Sequence, residues 1–410
     1  MRLERIQLID FHGFADLEVH FEPDVTVIVG VNGAGKSSLL DAIAVMLSDA
    51  LYRAAGEKPR GFEDLDVRVG AQSTWVEVSV RLGEGSEPVT WSLAHSRKGF
   101  KRGRAVHRGA MMSWTEEILS QRASGARFPE PLAVYYPTER TVLDVPGKIG
   151  KKHSFVPVEA LALALQGRTV DFRLFFEWFR EREDVENERR ARESTSHRDP
   201  ALEAVRRAIV AFMPGVADPR VQRSPQRFVV TKHDVTLEVD QLSDGERSLL
   251  ALVGDLARRL AMASDGDPLA HEAVVIIDEV ELHLHPGLQR DVINNLRRTF
   301  PRVQFVLTTH SPFALGEVES RSIRLLRDFS VAEPTIETSG QDIGVISRLV
   351  QGASERPRDV DAMIMSAHAA LDRSALEEAE GHVERLRERL GPHDPDVIRL
   401  ESLLDLLARG

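Results

Sequence analysis

The 410-residue chain contains no cysteine. Disulfides, thiolate metal sites and a cysteine nucleophile are therefore excluded. It also lacks any apolar run near the ~18 to 20 residues that cross a bilayer, so no membrane partner is expected. The opening MRLERIQLIDF carries charge at Arg2, Glu4, Arg5 and Asp10 and has no apolar h-region. It does not read as a signal peptide, and a cytoplasmic protein is the expectation. Positive charge is in deficit: 53 Lys and Arg against 64 Asp and Glu leave a net charge of −11. That argues against a surface uniformly adapted to nucleic acid, but it leaves room for a local basic patch. Arg97, Lys98, Lys101, Arg102, Arg104 and Arg108 cluster with Gly99 and Gly103 among them. They read either as a solvated hairpin loop or as a loop that tracks phosphates of a nucleic acid or partner.

The rest of the composition is that of an ordinary globular protein, with 42% apolar and 29% charged residues. The length predicts two or three lobes and a large core. Residues 3–9 and 17–21 read as strands, and the β-branched run Val25 to Val29 as a buried central strand leading into Gly30. Ser37 to Leu47 has helical character. Residues 67–69, 75–82 and 88–94 alternate as antiparallel strands, and Ala133 to Tyr136 is a strand ending at a Pro137 to Arg140 turn. From 155 to 213 the pattern is helical. Phe172, Phe175, Phe176 and Phe179 recur at helical spacing as a core stripe, and Arg180 to Arg198 reads as an exposed charged arm. Residues 227–239 suggest a hairpin and 247–262 a helix. Then Ala273 to Ile277, 288–299 and Gln304 to Thr308 alternate strand, helix, strand, which predicts a parallel sheet. The tail from 356 reads as helices broken at Gly391-Pro392. No internal repeat or low-complexity tract is present.

Gly30-Val31-Asn32-Gly33-Ala34-Gly35-Lys36-Ser37 has the phosphate-loop pattern, set between a strand and a helix. Its glycines let backbone N–H groups turn toward phosphates, and the following helix adds its positive end. Asn32, Gly33, Ala34, Gly35, Lys36, Ser37 and Ser38 are the expected ATP-binding residues. Lys36 is expected to reach the β- and γ-phosphates, and the Ser37 hydroxyl to ligate Mg²⁺. Val274 to Ile277 ends in Asp278-Glu279. Asp278 is the second expected Mg²⁺ residue. Glu279 is the candidate to orient or deprotonate the attacking water, because phosphoryl transfer needs little beyond positioning and charge neutralisation.

Leu242-Ser243-Asp244-Gly245-Glu246-Arg247 precedes the acidic strand, and Thr308-Thr309-His310-Ser311-Pro312 follows it. Ser243 can also be read as a helix N-cap, and both readings can hold at once. In this order the motifs resemble ABC-type ATPases of the RecF, SMC and OLD-like clade. Leu8 to Phe14 and Asn32 to Ser38 are similar to that clade's N-terminal lobe. Asp278 to Pro286 resembles its acidic strand and D-loop. With Phe175 to Glu183, that run looks most like compact bacterial AAA-family ATPases similar to those of Septu-like and retron-associated defence systems.

The resemblance implies an α/β fold: a P-loop NTPase of ABC ATPase type, with mixed sheet, antiparallel β lobe, helical insertion and C-terminal helical tail. The expected divisions are 1–150, 151–225, 226–345 and 346–410. It implies that Ser243, Gly245 and Glu246 face the γ-phosphate held by another subunit, and that His310 contacts the γ-phosphate of its own. Lys36, Ser243, Glu279 and His310 are then the catalytic set. Glu281 and His283 become candidate cross-subunit contacts. A metal reading of His283 and His285 is weaker, since no further His or Cys completes a site. The family's glutamine loop has no assigned position: Gln72 precedes a strand, and Tyr135 to Arg140 has no glutamine.

The expected activity is Mg²⁺-dependent ATP hydrolysis by a twofold homodimer with ATP sandwiched between subunits. The expected role is a switch on a separate effector, a nuclease, in phage defence. The alternative is a RecF-like DNA repair or maintenance ATPase that binds nucleic acid directly. A transporter subunit is disfavoured by the N-terminal stretch and helical insert, and a ring motor by the signature segment.

Overall fold

The computed structural model describes residues 1–408 except 84, 101–102, 126, 139–154, 168–171 and 353–355. Two units are described, Met1–Gln341 and Asp342–Gly410.

The first unit is built on a six-stranded sheet. Its strands are β3 (Val25–Gly30), β6 (Leu132–Tyr136), β10 (Ala273–Ile277), β11 (Val303–Thr308), β12 (Ile323–Arg327) and β13 (Ser330–Ala332). The spatial order is β13-β12-β3-β11-β10-β6. All neighbours run parallel except β12 and β13. Strands β6, β10 and β11 are buried along their whole length, as a sheet covered on both faces requires. The C-terminal ends of β3, β10 and β11 therefore lie at one edge, where the glycine loop, Asp278 and His310 emerge.

A second sheet, β2-β1-β4-β5, is antiparallel and comprises β1 (Arg2–Phe11), β2 (Phe14–His20), β4 (Ser73–Arg81) and β5 (Pro88–Ser96). Gln304, a polar residue in the buried β11, ties the two sheets together. Its Oε1 accepts from Leu3 N at 2.7 Å, and its Nε2 donates to the carbonyls of Leu3 and Glu22 at 2.8 Å each. Every polar atom of this buried amide is thereby bonded, which offsets its desolvation. Helix α1 (Lys36–Ala54) is buried on nearly all sides. Helix α2 (Gly109–Ala123) follows β5. Residues 67–69 do not form the expected strand, and only an isolated Phe11–Val67 bridge occurs there.

Helices α3 (Phe172–Arg192) and α4 (Pro200–Phe212) lead into a third sheet of β7 (Val216–Arg223), β8 (Gln226–Lys232) and β9 (Val235–Glu238). The aromatic stripe is core as expected. Phe172, Phe175 and Phe179 surround Phe228 of β8 at ring-centroid distances of 6.2, 5.6 and 5.0 Å. Burying each of these rings stabilises the fold by about 1.5–3 kcal/mol. The charged continuation of α3 is not the fully exposed arm the sequence suggested. Glu183 and Glu186 are 6% and 1% exposed. Arg206 of α4 bonds both, at 3.1 and 3.0 Å, and their remaining oxygens accept Val221 N and Asp199 N. Burial demands partners for such carboxylates, and the packing of α4 and β7 supplies them.

Helix α5 (Asp244–Ala263) runs through the interior, followed by α6 (Pro286–Thr299) and the short α7 (Pro312–Leu315). On α5, Asp255 is bonded by Arg258 at 2.6 Å, Arg259 at 2.7 Å and Tyr136 Oη at 2.9 Å. Burial alone would raise the Asp255 carboxyl, but the two guanidiniums hold it down at about 2.

The second unit holds α8 (Ile343–Leu349), α9 (Arg358–Asp372), α10 (Leu376–Leu390) and α11 (Pro395–Ala408). Its core gathers Val360, Leu371, Val383, Leu386, Val397 and Leu400. Gly391, at φ 90°, ends α10 in a conformation that residues with a Cβ seldom adopt, and the chain reverses there as the Gly-Pro pair predicted. Arg356 pairs with Asp394 at 2.9 Å and Asp396 at 2.7 Å, holding the start of α11.

Candidate active site

Strand β3 delivers the chain into the glycine loop, and two of its glycines are required by geometry. Gly35 has φ 95°, and a Cβ there would lie 2.5 Å from the Phe14 ring. At Gly30 a Cβ would meet the Leu326 carbonyl oxygen at 2.6 Å. Lys36 opens α1 and folds its ammonium back over the loop, donating to the Gly30 carbonyl at 2.8 Å and the Val31 carbonyl at 3.3 Å. Burial lowers the Lys36 pKa, while the charges of Asp278, Glu279 and Glu281 act in the opposite direction.

The acidic strand ends beside it. The Ser37 hydroxyl donates to Asp278 Oδ2 at 2.7 Å. Asp278 is 3% exposed. Its other oxygen accepts from Thr308 Oγ1 at 2.5 Å, and that hydroxyl in turn accepts Glu279 N at 2.7 Å. In the sequence Thr308 stands out only as the end of a strand and a neighbour of His310, yet its hydroxyl bonds both acidic residues. The available signal was a hydroxyl at the last position of a strand adjacent to the acidic one. Glu279 has φ 48°, a left-handed conformation that is uncommon outside glycine. It turns the chain sharply, and its carboxylate is partly exposed. His310 is exposed at the end of β11, and its backbone N donates to Glu281 Oε1. Glu281 is therefore engaged within its own chain.

Mg²⁺ is a hard cation that takes oxygen ligands and keeps several waters. Ser37 Oγ and Asp278 Oδ2, already in contact at the mouth of the loop, form a donor set that fits it.

The signature segment starts α5. Ser243 is its N-cap: Oγ accepts Glu246 N at 3.3 Å, and Glu246 Oε2 accepts Ser243 N at 3.1 Å, a reciprocal capping box. The capping reading of Ser243 is thus realised. Ser243 Oγ also donates to Glu246 Oε2 at 2.8 Å, and Lys232 bonds Glu246 Oε1. Burial would raise the Glu246 carboxyl, but the Lys232 and Ser243 hydrogen bonds hold it below its usual range. Among the described residues the Ser243 side chain bonds only Glu246, and it is exposed. Gly245 is buried against the turn that carries His283: a Cβ there would lie 2.6 Å from the His283 carbonyl oxygen. His285 caps α6, its Nδ1 accepting Gly287 N at 3.3 Å.

In the basic segment Arg97 and Arg108 are half-buried, whereas Lys98 and Arg104 are exposed. Arg97 donates to the Val67 carbonyl at 2.9 Å, Arg104 lies over the Trp75 ring at 5.2 Å, and Arg108 pairs with buried Asp49 at 3.2 Å. Lys101 and Arg102 lie outside the described residues, as do Glu139 and Arg140 of the expected turn. The carbonyl of Gln72 accepts Arg97 N at 3.0 Å, away from the phosphate loop in sequence and within the β4–β5 lobe. No helix among the described residues is long and apolar enough to cross a membrane.

A family model described as "AAA domain" matches residues 5–191, and one described as "AAA domain, putative AbiEii toxin, Type IV TA system" matches residues 125–316. Along the whole chain it is similar to "Retron Ec83 probable ATPase" of Escherichia coli, 26% identical over 98% of this chain and 86% of that protein. It is 23% identical to "Septu protein PtuA" of Bacillus mycoides over 76% of this chain and 38% of that protein. A shorter stretch, 20% of this chain and 22% of the relative, is 36% identical to "DNA replication and repair protein RecF" of an Arthrobacter species. The glycine loop, Asp278 and His310 thus emerge at one edge of an α/β sheet, in a chain similar to proteins named as a probable ATPase and as a DNA replication and repair protein. These similarities support the reading of this chain as an ABC-type ATPase of the RecF/SMC clade.

Proposed function

We propose that two copies of this chain close on two ATP molecules, hydrolyse them, and use the cycle to regulate a separate effector. The observation that carries this reading is the exposed signature turn. Its Ser243 hydroxyl stands at the start of α5, bonded only within its own turn among the described residues, where a second copy's nucleotide can reach it. In this reading, the loop amides of Asn32 to Ser38 cradle the phosphates and Lys36 grips the β- and γ-phosphates. Mg²⁺ held by Ser37 and Asp278 would neutralise charge on the phosphate oxygens. Glu279 orients or deprotonates the attacking water, and His310 contacts the γ-phosphate. Ser243, Gly245 and Glu246 of the other copy complete the site. ATP binds the closed pair better than the open one, so hydrolysis releases the closure.

The similarity to retron and Septu proteins along most of the chain supports an ATPase of that kind; phage defence as the setting and a nuclease as the effector are the inference drawn from that resemblance. The RecF-like reading, in which DNA binds directly, draws on the shorter RecF match and on Lys98 of the basic segment. The engagement of Arg97, Arg104 and Arg108 with partners in their own chain weighs against it.

The test is Glu279→Gln. Light scattering should show it accumulating as an ATP-bound dimer that does not turn over; wild-type phosphate release would remove Glu279 from the mechanism. Ser243→Arg should bind ATP yet lose turnover, and full activity would contradict a shared site. DNA-stimulated turnover whose affinity falls steeply with salt would favour the RecF-like alternative.

A further inference from the structure

Glu281 lies two residues beyond Glu279, in the turn that leaves β10. Its Oε1 accepts the backbone N–H of His310, 29 positions along the chain. Its Oε2 is buried and has no hydrogen-bond partner among the described residues. Leaving a buried acceptor unpaired is costly, more so when it is charged. The Glu281 charge also favours the protonated form of Lys36, against the effect of burial there.

The turn that carries Glu281 is closed by backbone hydrogen bonds. Leu282 N donates to the Glu279 carbonyl at 3.0 Å and Leu284 N to the Glu281 carbonyl at 2.9 Å. Val280 N is bonded to the Thr308 carbonyl at 3.0 Å, which ties the turn to the end of β11. On the other side, Ser311 Oγ donates to Gln289 Oε1 at 2.7 Å and caps α7. His310 is thus the one exposed link between two fixed segments, Thr308–Thr309 before it and Ser311 after it. Its backbone orientation is set where Glu281 holds its N–H.

We propose that Glu281 is a positioning residue for His310, fixing the peptide from which the imidazole reaches the γ-phosphate. This rests on the reading of His310 given above. Glu281 does not touch the reacting atoms; it sets the direction from which His310 approaches them.

The experiment measures kcat, KM and ATP affinity with Mg-ATP for Glu281→Met, Glu281→Gln, His310→Ala and the Met/Ala double variant. Methionine fills the space but accepts no comparable hydrogen bond, so kcat should fall about tenfold or more while ATP affinity changes by less than about twofold. Glutamine keeps a carbonyl acceptor and should restore kcat to within about threefold of wild type. The double variant should be no slower than His310→Ala, because both changes remove one coupled function. Wild-type kcat in Glu281→Met would overturn the proposal, as would equal rates for Met and Gln. So would a double variant slowed by the product of the two single effects. A fully active His310→Ala would overturn the switch reading of His310 and this proposal with it; a slow His310→Ala beside a fast Glu281→Met overturns this proposal alone.

Discussion

The hydroxyl of Ser37 donates to Asp278 at 2.7 Å, joining residues 241 positions apart. Ser37 comes from the first turn of α1, which follows β3, and Asp278 from the end of β10; β11 lies between β3 and β10 in the sheet. The two oxygens meet at the sheet edge where the phosphates are expected.

Asp278→Asn keeps the shape of this contact and removes the charge. Turnover with Mg-ATP should fall by about 10²–10³, the loss typical of deleting one preorganised electrostatic group. Chelation of Mg²⁺ should abolish phosphate release in the wild type. Steady-state assays across a magnesium titration check both, and an Asn variant with unchanged magnesium dependence would detach Asp278 from the metal.

Asp255 should contribute to stability in a pH-dependent way. Its folded pKa of about 2 lies below the ordinary carboxylate value, because Arg259 and Arg258 outweigh burial. A depressed carboxylate stabilises the fold above the unfolded pKa, and that contribution is lost as pH falls through the folded one. Stability should hold near pH 5 and decline toward pH 2, with this group contributing on the order of 2 kcal/mol. Asp255→Asn should cost roughly 3–5 kcal/mol near neutral pH, since it leaves two buried guanidiniums without a counter-charge. Denaturant melts at pH 7 and pH 3 test this: the difference between wild type and variant should shrink at the lower pH.

Gly245→Ala should disturb the signature turn from within its own chain. Its added methyl would sit 2.6 Å from the His283 carbonyl oxygen, and both groups are backbone-anchored. Overpacking of this kind costs about 1–3 kcal/mol. We expect a lower unfolding midpoint and slowed turnover with ATP affinity retained. A variant with wild-type midpoint and rate would mean that the signature turn moves freely over the turn after β10.

Much of this architecture was legible in the sequence because each element carried its own periodicity. Val25 to Val29 and Ala273 to Ile277 are apolar runs flanked by unmistakable loop chemistry, and both are strands in the parallel sheet. Strands β7, β12 and β13 were not foreseen. β7 contains Asp218, Pro219 and Arg220, and β12 is interrupted by Arg324, residues that argue against a strand when read locally. Tertiary partners reverse that argument: Arg324 is 7% exposed and bonds the His20 carbonyl and Glu22, residues some 300 positions earlier. The same holds for Glu183 and Glu186, whose burial depends on Arg206. At the site, the sequence named the residue types but not the connections between them. The Thr308 bridge and the Glu281–His310 contact join separate motifs, and no spacing rule within one motif reveals such links.

The strand order also constrains how the protein can be made. β3, which carries the glycine loop, pairs with β11 and β12. Those strands begin at Val303 and Ile323, so about 270 residues must be added after Gly30 before the first of them is available. At ~5–20 residues per second of synthesis, that is a wait of roughly 14 to 55 s. Throughout it, the apolar run Val25 to Val29 has neither of its native neighbours. A nascent chain truncated before Val303 should therefore hold the whole glycine-loop sequence and still bind no ATP, and it should depend on chaperones in proportion to that delay.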